Sequence, residues 1–148
     1  MPEYPEKLNE MLADFAFVTD RSERAELLID ISEGFEPVPE PIATRPYPEE
    51  RRVPACESEA YVWSEEQPDG TLKFYFAVEN PQGVSAKAMA AILDQALSGA
   101  PVEQVAQVSP EIVLQIFGKD ISMGKGQGLM GMVAAVQAAA RRELAERS

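Results

Sequence analysis

Apolar residues recur along the chain with two spacings, and the switches between them divide it into segments. Near the start, Leu8, Met11, Leu12 and Phe15 share one helical face, with Glu6, Lys7, Asn9 and Glu10 outside it. A second helix is predicted over Arg21–Glu33: Leu27, Leu28 and Ile31 form its stripe, Asp20 its N-cap with Glu23 three residues on, and Gly34 its stop. The spacing then changes to two. Tyr61 and Trp63 alternate with Ala60, Val62 and Ser64, and beyond a Pro68-Asp69-Gly70 turn Leu72, Phe74, Phe76 and Val78 alternate with Lys73, Tyr75 and Ala77. This predicts a hairpin with one aromatic, buried face, and a weaker third strand around Arg51-Val53. Helical spacing returns with Met89, Ile92, Leu93, Ala96 and Leu97, stopped by Gly99. A short helix follows over residues 101–105, then one opened by Ser109-Pro110 and ended by Gly118. The last helix carries Leu129, Met132, Val133, Val136 and Ala140 on one face, with Gly124-Lys125-Gly126-Gln127-Gly128 expected just before it. Its closing arginines, Arg141, Arg142 and Arg147, suit the negative end of a helix dipole. Helices, a hairpin, then helices again argue an α+β fold, with helices packed on a small antiparallel sheet.

Between the second helix and the hairpin the periodicity disappears. Six of the 12 prolines (Pro37, Pro39, Pro41, Pro46, Pro48 and Pro54) fall within residues 37–54, and proline suits neither helix nor sheet interior. An extended surface stretch is expected there, delivering the chain to Cys56.

A length of 148 residues with 45% hydrophobic content suits one domain, residues 1–148, with its own core. No apolar run reaches the 18 or so residues of a membrane span, and the first residues lack the basic-then-apolar order of a secretory signal. The single cysteine cannot form an internal disulfide, so a reducing, cytoplasmic setting is expected. The net charge of −12 argues against a nucleic-acid partner and favours a basic or mixed-charge protein surface. The chain has no histidine, which removes the commonest general base and the commonest metal ligand. A zinc or iron–sulfur site is not expected from one cysteine alone, and a Cys–His pair is excluded within the chain.

Cys56 therefore draws the chemistry, and two readings of it stand open: a small, inert core residue, or a reachable nucleophile. Pro54 just before it and Glu57-Ser58-Glu59 just after place it at a loop tip rather than in a strand. Arg51 and Arg52 favour the thiolate while Glu57 and Glu59 oppose it, so local charge leaves the balance undecided. The glycine-rich run at 124–128 is either an anion cradle or a flexible helix entry; it lacks the phosphate-loop pattern. The acidic pairs Glu49-Glu50 and Glu65-Glu66 read as solvated charge, and the alanine-rich residues 134–145 as core packing.

Two stretches together resemble the SufE family of cysteine desulfuration proteins. Residues Val53-Pro54-Ala55-Cys56-Glu57-Ser58-Glu59-Ala60-Tyr61-Val62-Trp63 are similar to its V-x-G-C-x-S-x-V-W stretch, and Lys125-Gly126-Gln127-Gly128-Leu129 to its R-x-[NQ]-G-[LF]. The region from Leu97 to Val105 matches the family's SGxTPEEI stretch in position and type. The resemblance implies an α+β fold close to the IscU-like scaffold proteins. It implies that Cys56 accepts persulfide sulfur from a partner cysteine desulfurase (SufS-like), stimulates that enzyme, and passes the sulfur to an iron–sulfur scaffold. Lys125, Gln127 and Arg52 become supporting or partner-binding positions. Pyridoxal phosphate belongs to the partner; no cofactor or metal is expected on this chain, which should be a monomer or weak dimer. The sequence departs from the pattern at Ala55 in place of glycine, at Lys125 in place of arginine, and at Asn80-Pro81-Gln82 in place of an acidic Asp-Ala pair. Two other readings compete: an adaptor that regulates a partner by docking, with Cys56 incidental, and a relay feeding a tRNA or cofactor thiolation pathway.

Overall fold

A computed structural model of the chain describes residues 3–56 and 58–147. Glu57, weighed above for its charge beside Cys56, lies outside the described residues. The order is α1 (Glu6–Phe17), α2 (Arg21–Glu33), a short 3-10 turn (Glu49–Arg51), β1 (Ala60–Glu66), β2 (Leu72–Val78), α3 (Val84–Leu97), α4 (Val102–Val105), α5 (Ile112–Phe117) and α6 (Met123–Arg147). This is the expected α+β arrangement of helices on a two-stranded antiparallel sheet.

The centre is α3. Nine of its 14 residues are buried, among them Met89, Ile92, Leu93 and Leu97, because α1, α2, α6 and β2 all pack against it. Its alanines let those neighbours approach closely. At the N-terminal end, Asp20 accepts a hydrogen bond from the Glu23 N–H at 3.0 Å, the expected cap. The Arg24 guanidinium donates to four carbonyls, those of Phe15, Val18, Gln115 and Ile116, at 2.7–3.1 Å. These carbonyls lie where α1 and α5 end, that of Phe15 also accepting from the Val18 N–H, so one cation closes two helix C-termini.

The hairpin departs from the expectation of one buried face. Val62 opposes Phe76 and Trp63 opposes Tyr75, so the aromatic residues of β1 and those at 74 and 76 of β2 point to opposite sides. Ala60, Val62, Leu72, Phe74 and Phe76 join the main core. Tyr61, Trp63 and Ala77 form a second cluster with Val38, flanked by Ile42, Ala43, Tyr47 and Tyr75. The proline-rich chain covers this second face: the Val38 N–H donates to the Phe76 carbonyl at 2.8 Å, and the Tyr47 ring lies 5.2 Å from the rings of both Tyr61 and Trp63. The third strand shrinks to a single bridge between Arg52 and Tyr61, with the Val53 N–H on the Ala60 carbonyl at 2.8 Å. The 3-10 turn before it and Pro54 after it leave no room for more.

Two helix starts also differ from expectation. The Ser109 hydroxyl accepts from the Glu111 N–H at 3.1 Å and its own N–H donates to the Tyr4 hydroxyl at 3.2 Å, so Ser109-Pro110 form a turn and α5 opens only at Ile112. Conversely, α6 opens at Met123, so the glycine-rich run lies inside its first two turns rather than before it. Ser122 supports that start, its carbonyl accepting from the Gly126 N–H at 2.8 Å. No helix among the described residues is long and apolar enough to cross a membrane.

Candidate functional site

Cys56 sits on an irregular loop, residues 53–59, that runs from the proline-rich stretch into β1. The loop is laid on α6 at two glycines three residues apart, and therefore on one helix face. A side chain at Gly128 would begin 3.0 Å from the Cys56 Cα and 3.2 Å from the Ala55 oxygen. One at Gly131 would begin 3.0 Å from a Val53 methyl and 3.2 Å from the Pro54 oxygen. Both approaches are tighter than nearly all Cβ contacts, so a side chain on this face of α6 would push the loop back by a few tenths of an ångström. The far limb is held by the chain entering α3: the Glu79 N–H donates to the Glu59 carbonyl at 3.3 Å, and the Asn80 N–H to that of Ser58 at 3.2 Å. A Cβ on Gly83 would stand 2.8 Å from the Ser58 Oγ.

The loop's own backbone is strained. Ala55 (φ +63°) and Glu59 (φ +51°) both occupy the left-handed region, which costs a residue with a side chain about 1–2 kcal/mol. Ala55 is the position where the resembling pattern has glycine, and its φ gives that glycine a physical reason.

Cys56 is a loop residue, as expected, yet it is only 7% exposed. It lines a pocket of about 230 Å³ walled by Ser58, Asn80 and Gln82, by the first turn of α3 (Val84, Ser85, Ala86), and by the opening turns of α6 (Gly124, Lys125, Gly128). Two helix N-termini, each the positive end of a dipole, therefore border the space beside the thiol. Lys125 is the one charged side chain lining it, and no carboxylate does so among the described residues. Val84 (41% exposed) gives the pocket an apolar wall on α3, and Met123 (80% exposed) precedes Gly124 of its lining on α6.

Of the residues singled out from sequence, Cys56 and Lys125 come together at this pocket. Gln127 is exposed on α6 outside the pocket lining. Arg52 lies elsewhere too, paired with Glu49 at 3.7 Å over a groove between β1 and α6. Sequence reasoning missed Gly131, Gly83, Ser58, Asn80 and Gln82 as parts of the site. The spacing of Gly128 and Gly131 on one helix was a readable signal; the meeting of Gly83 with Ser58 depends on tertiary contact and had none.

A hairpin buried by helices on one face and by the proline-rich stretch on the other, with a strained loop seating the chain's one thiol between two helix starts, defines the class as an α+β single-cysteine module. The family described as "SufE: Fe-S metabolism associated domain" matches residues 9–140 of the 148, and the chain belongs to it. Membership assigns the protein a role in iron–sulfur metabolism. Among solved structures it is similar to the solution structure of a hypothetical protein from Thermus thermophilus. The two share 26% identity with a TM-score of 0.73, over 96% of this chain and 98% of that one. No curated protein matches the sequence.

Proposed function

We propose that this protein accepts sulfane sulfur on Cys56 from the persulfide of a cysteine desulfurase and hands it on for iron–sulfur cluster assembly. The observation that carries the reading is the seat of the sole thiol: a pocket with a cation and two helix N-termini, and no carboxylate among its described lining residues. Such a pocket suits a sulfur anion. Thiol–persulfide exchange needs a thiolate and access but neither histidine nor metal, which fits a chain without histidine.

The step balances without an external oxidant. Cys56 loses its proton to solvent, its thiolate attacks the terminal sulfur of the donor persulfide, and a new S–S bond forms on Cys56. The donor's S–S bond breaks, and its cysteine leaves as a thiolate that takes up a proton. Emptying the donor lets the desulfurase turn over again, which is the stimulation expected of this partner. Pyridoxal phosphate stays with the desulfurase, and a reducing cytoplasm keeps the acceptor thiol free. Since Cys56 rests buried, transfer requires the loop to lift from Gly128 and Gly131.

Incubation with a cysteine desulfurase and L-cysteine should add about one sulfur mass to the intact protein, removable by a reducing thiol and absent in Cys56→Ser. A desulfurase that turns over while no adduct appears overturns the reading. Full stimulation by Cys56→Ser would instead identify a docking adaptor.

A further inference from the structure

We infer that the groove between β1 and α6, beside the Cys56 loop but separate from its pocket, docks an acidic segment of the protein that delivers the sulfur; this rests on the acceptor reading above. The groove encloses about 250 Å³. Its α6 side is made of Ala135, Ala138 and Ala139, small enough to leave space against Trp63 of β1. Arg51, Arg52 and Arg142 also line it.

Three guanidinium groups on one groove reverse the local charge of a chain whose net charge is −12. Several cations elsewhere are already engaged. Arg21 pairs with Asp120, Arg45 with Glu79, Lys73 with Asp94, and Arg147 with Glu66 and Glu143, while Arg24 holds helix ends. In the groove, Glu49 holds Arg52 and Glu50 is the one carboxylate in the lining. The guanidinium groups of Arg51 and Arg142 have no hydrogen-bond or ion-pair partner among the described residues, so the surplus positive charge is theirs. Arginine's planar fork matches a carboxylate with two parallel hydrogen bonds, which makes Asp and Glu side chains the fitting occupants. Position adds a second argument. Val53 and Pro54 line the same groove and lead directly into Ala55 and Cys56. A segment seated there brings its carrier against the limb that must move.

The test titrates the Arg51→Glu/Arg142→Glu protein into its cognate cysteine desulfurase with L-cysteine, reading sulfur on Cys56 by intact mass. The concentration giving half-maximal loading should rise about tenfold, and the parent's own value should rise with added salt. Arg51→Lys/Arg142→Lys should fall between the two, since it keeps the charge and loses the fork. Half-saturation at the parent's concentration with the same salt dependence overturns the proposal. If the double reversal does not fold, Arg51→Gln and Arg142→Gln are titrated singly, and two parent-like curves overturn it equally. Calorimetric binding of Cys56→Ser to the desulfurase, with and without the arginine changes, separates the two ideas. Arginine-dependent binding without sulfur loading in the parent sustains the groove and removes only the acceptor reading.

Discussion

Two irregular stretches cross this scaffold, residues 36–48 and residues 53–59, and they are fastened in opposite ways. The first is held by its side chains: Val38 is buried against Tyr61 and Trp63, Tyr47 packs on both rings, and Arg45 pairs with Glu79 at 3.0 Å. The second is held by backbone hydrogen bonds at its two ends, by Val53 in the core, and by the missing side chains beneath it. Gly128, Gly131 and Gly83 let its backbone come close, and two of its residues sit in left-handed strain. Burial of large rings resists lifting by several kcal/mol. The described part of the Cys56 loop has no such rings to unpack, and leaving its seat would release the strain at Ala55 and Glu59. The thiol rides on the strained stretch, while the neighbouring cover is packed onto the hairpin by its rings.

The contrast can be broken most forcefully at the cover. Trp63→Ala should cost about 3–5 kcal/mol and lower the thermal midpoint by roughly 10 °C. A loss below about 1 kcal/mol in a denaturant melt would mean that side-chain burial does not hold this stretch. Gly128→Ala comes next, with an overpacking cost of about 1–3 kcal/mol and faster modification of Cys56 by a disulfide reagent, because the loop is pushed from its seat. Unchanged labelling would show that the close approach does not control access. Ala55→Gly should act the other way, adding up to about 1 kcal/mol, as relief of the left-handed backbone outweighs the entropy gained by the unfolded chain. A loss of stability there would show that Ala55 bears no strain.

The smallest effect belongs to the hairpin turn, which neither stretch touches. Hydrogen bonds from the Thr71 hydroxyl and then the Thr71 N–H hold the Asp69 carboxyl below its ordinary value of 3.8. A depressed carboxyl stabilises fully above its unfolded pKa and loses that contribution as pH falls through the folded one. The protection factors of the turn amides, corrected for intrinsic exchange, should therefore fall below about pH 4 in the parent and show no such step in Asp69→Asn.

Where the hydrophobic pattern was strong, the fold was legible. The stripes of α1, α2 and α3, the cap at Asp20 and both strands follow from local spacing, and Cys56 stood out because no other side chain offered its chemistry. What escaped the sequence was set by tertiary contact. Alternation shows that a strand has two faces but not that residues 38–47 return to cover the one carrying Tyr61, Trp63 and Tyr75. Glycines at 124, 126 and 128 read as a cradle or flexible entry before the helix, yet packing against the Cys56 loop and support from Ser122 carry α6 through them. The burial of a loop-tip cysteine, and the separation of Arg52 from Lys125, likewise depend on where α6 runs.

A seat that hides the sulfur most of the time also decides which reactions it enters. With one cysteine in the chain, a disulfide between two copies needs an outside two-electron oxidant to act on one raised thiol and a second raised thiol to displace the oxidised group, so where that second step limits, its rate follows the square of the raised fraction. Exchange with a carrier that itself lifts the loop needs only one such event and follows the first power. The same closure that slows the productive encounter somewhat therefore suppresses wasteful self-oxidation far more steeply, and selectivity follows from timing rather than from added chemistry.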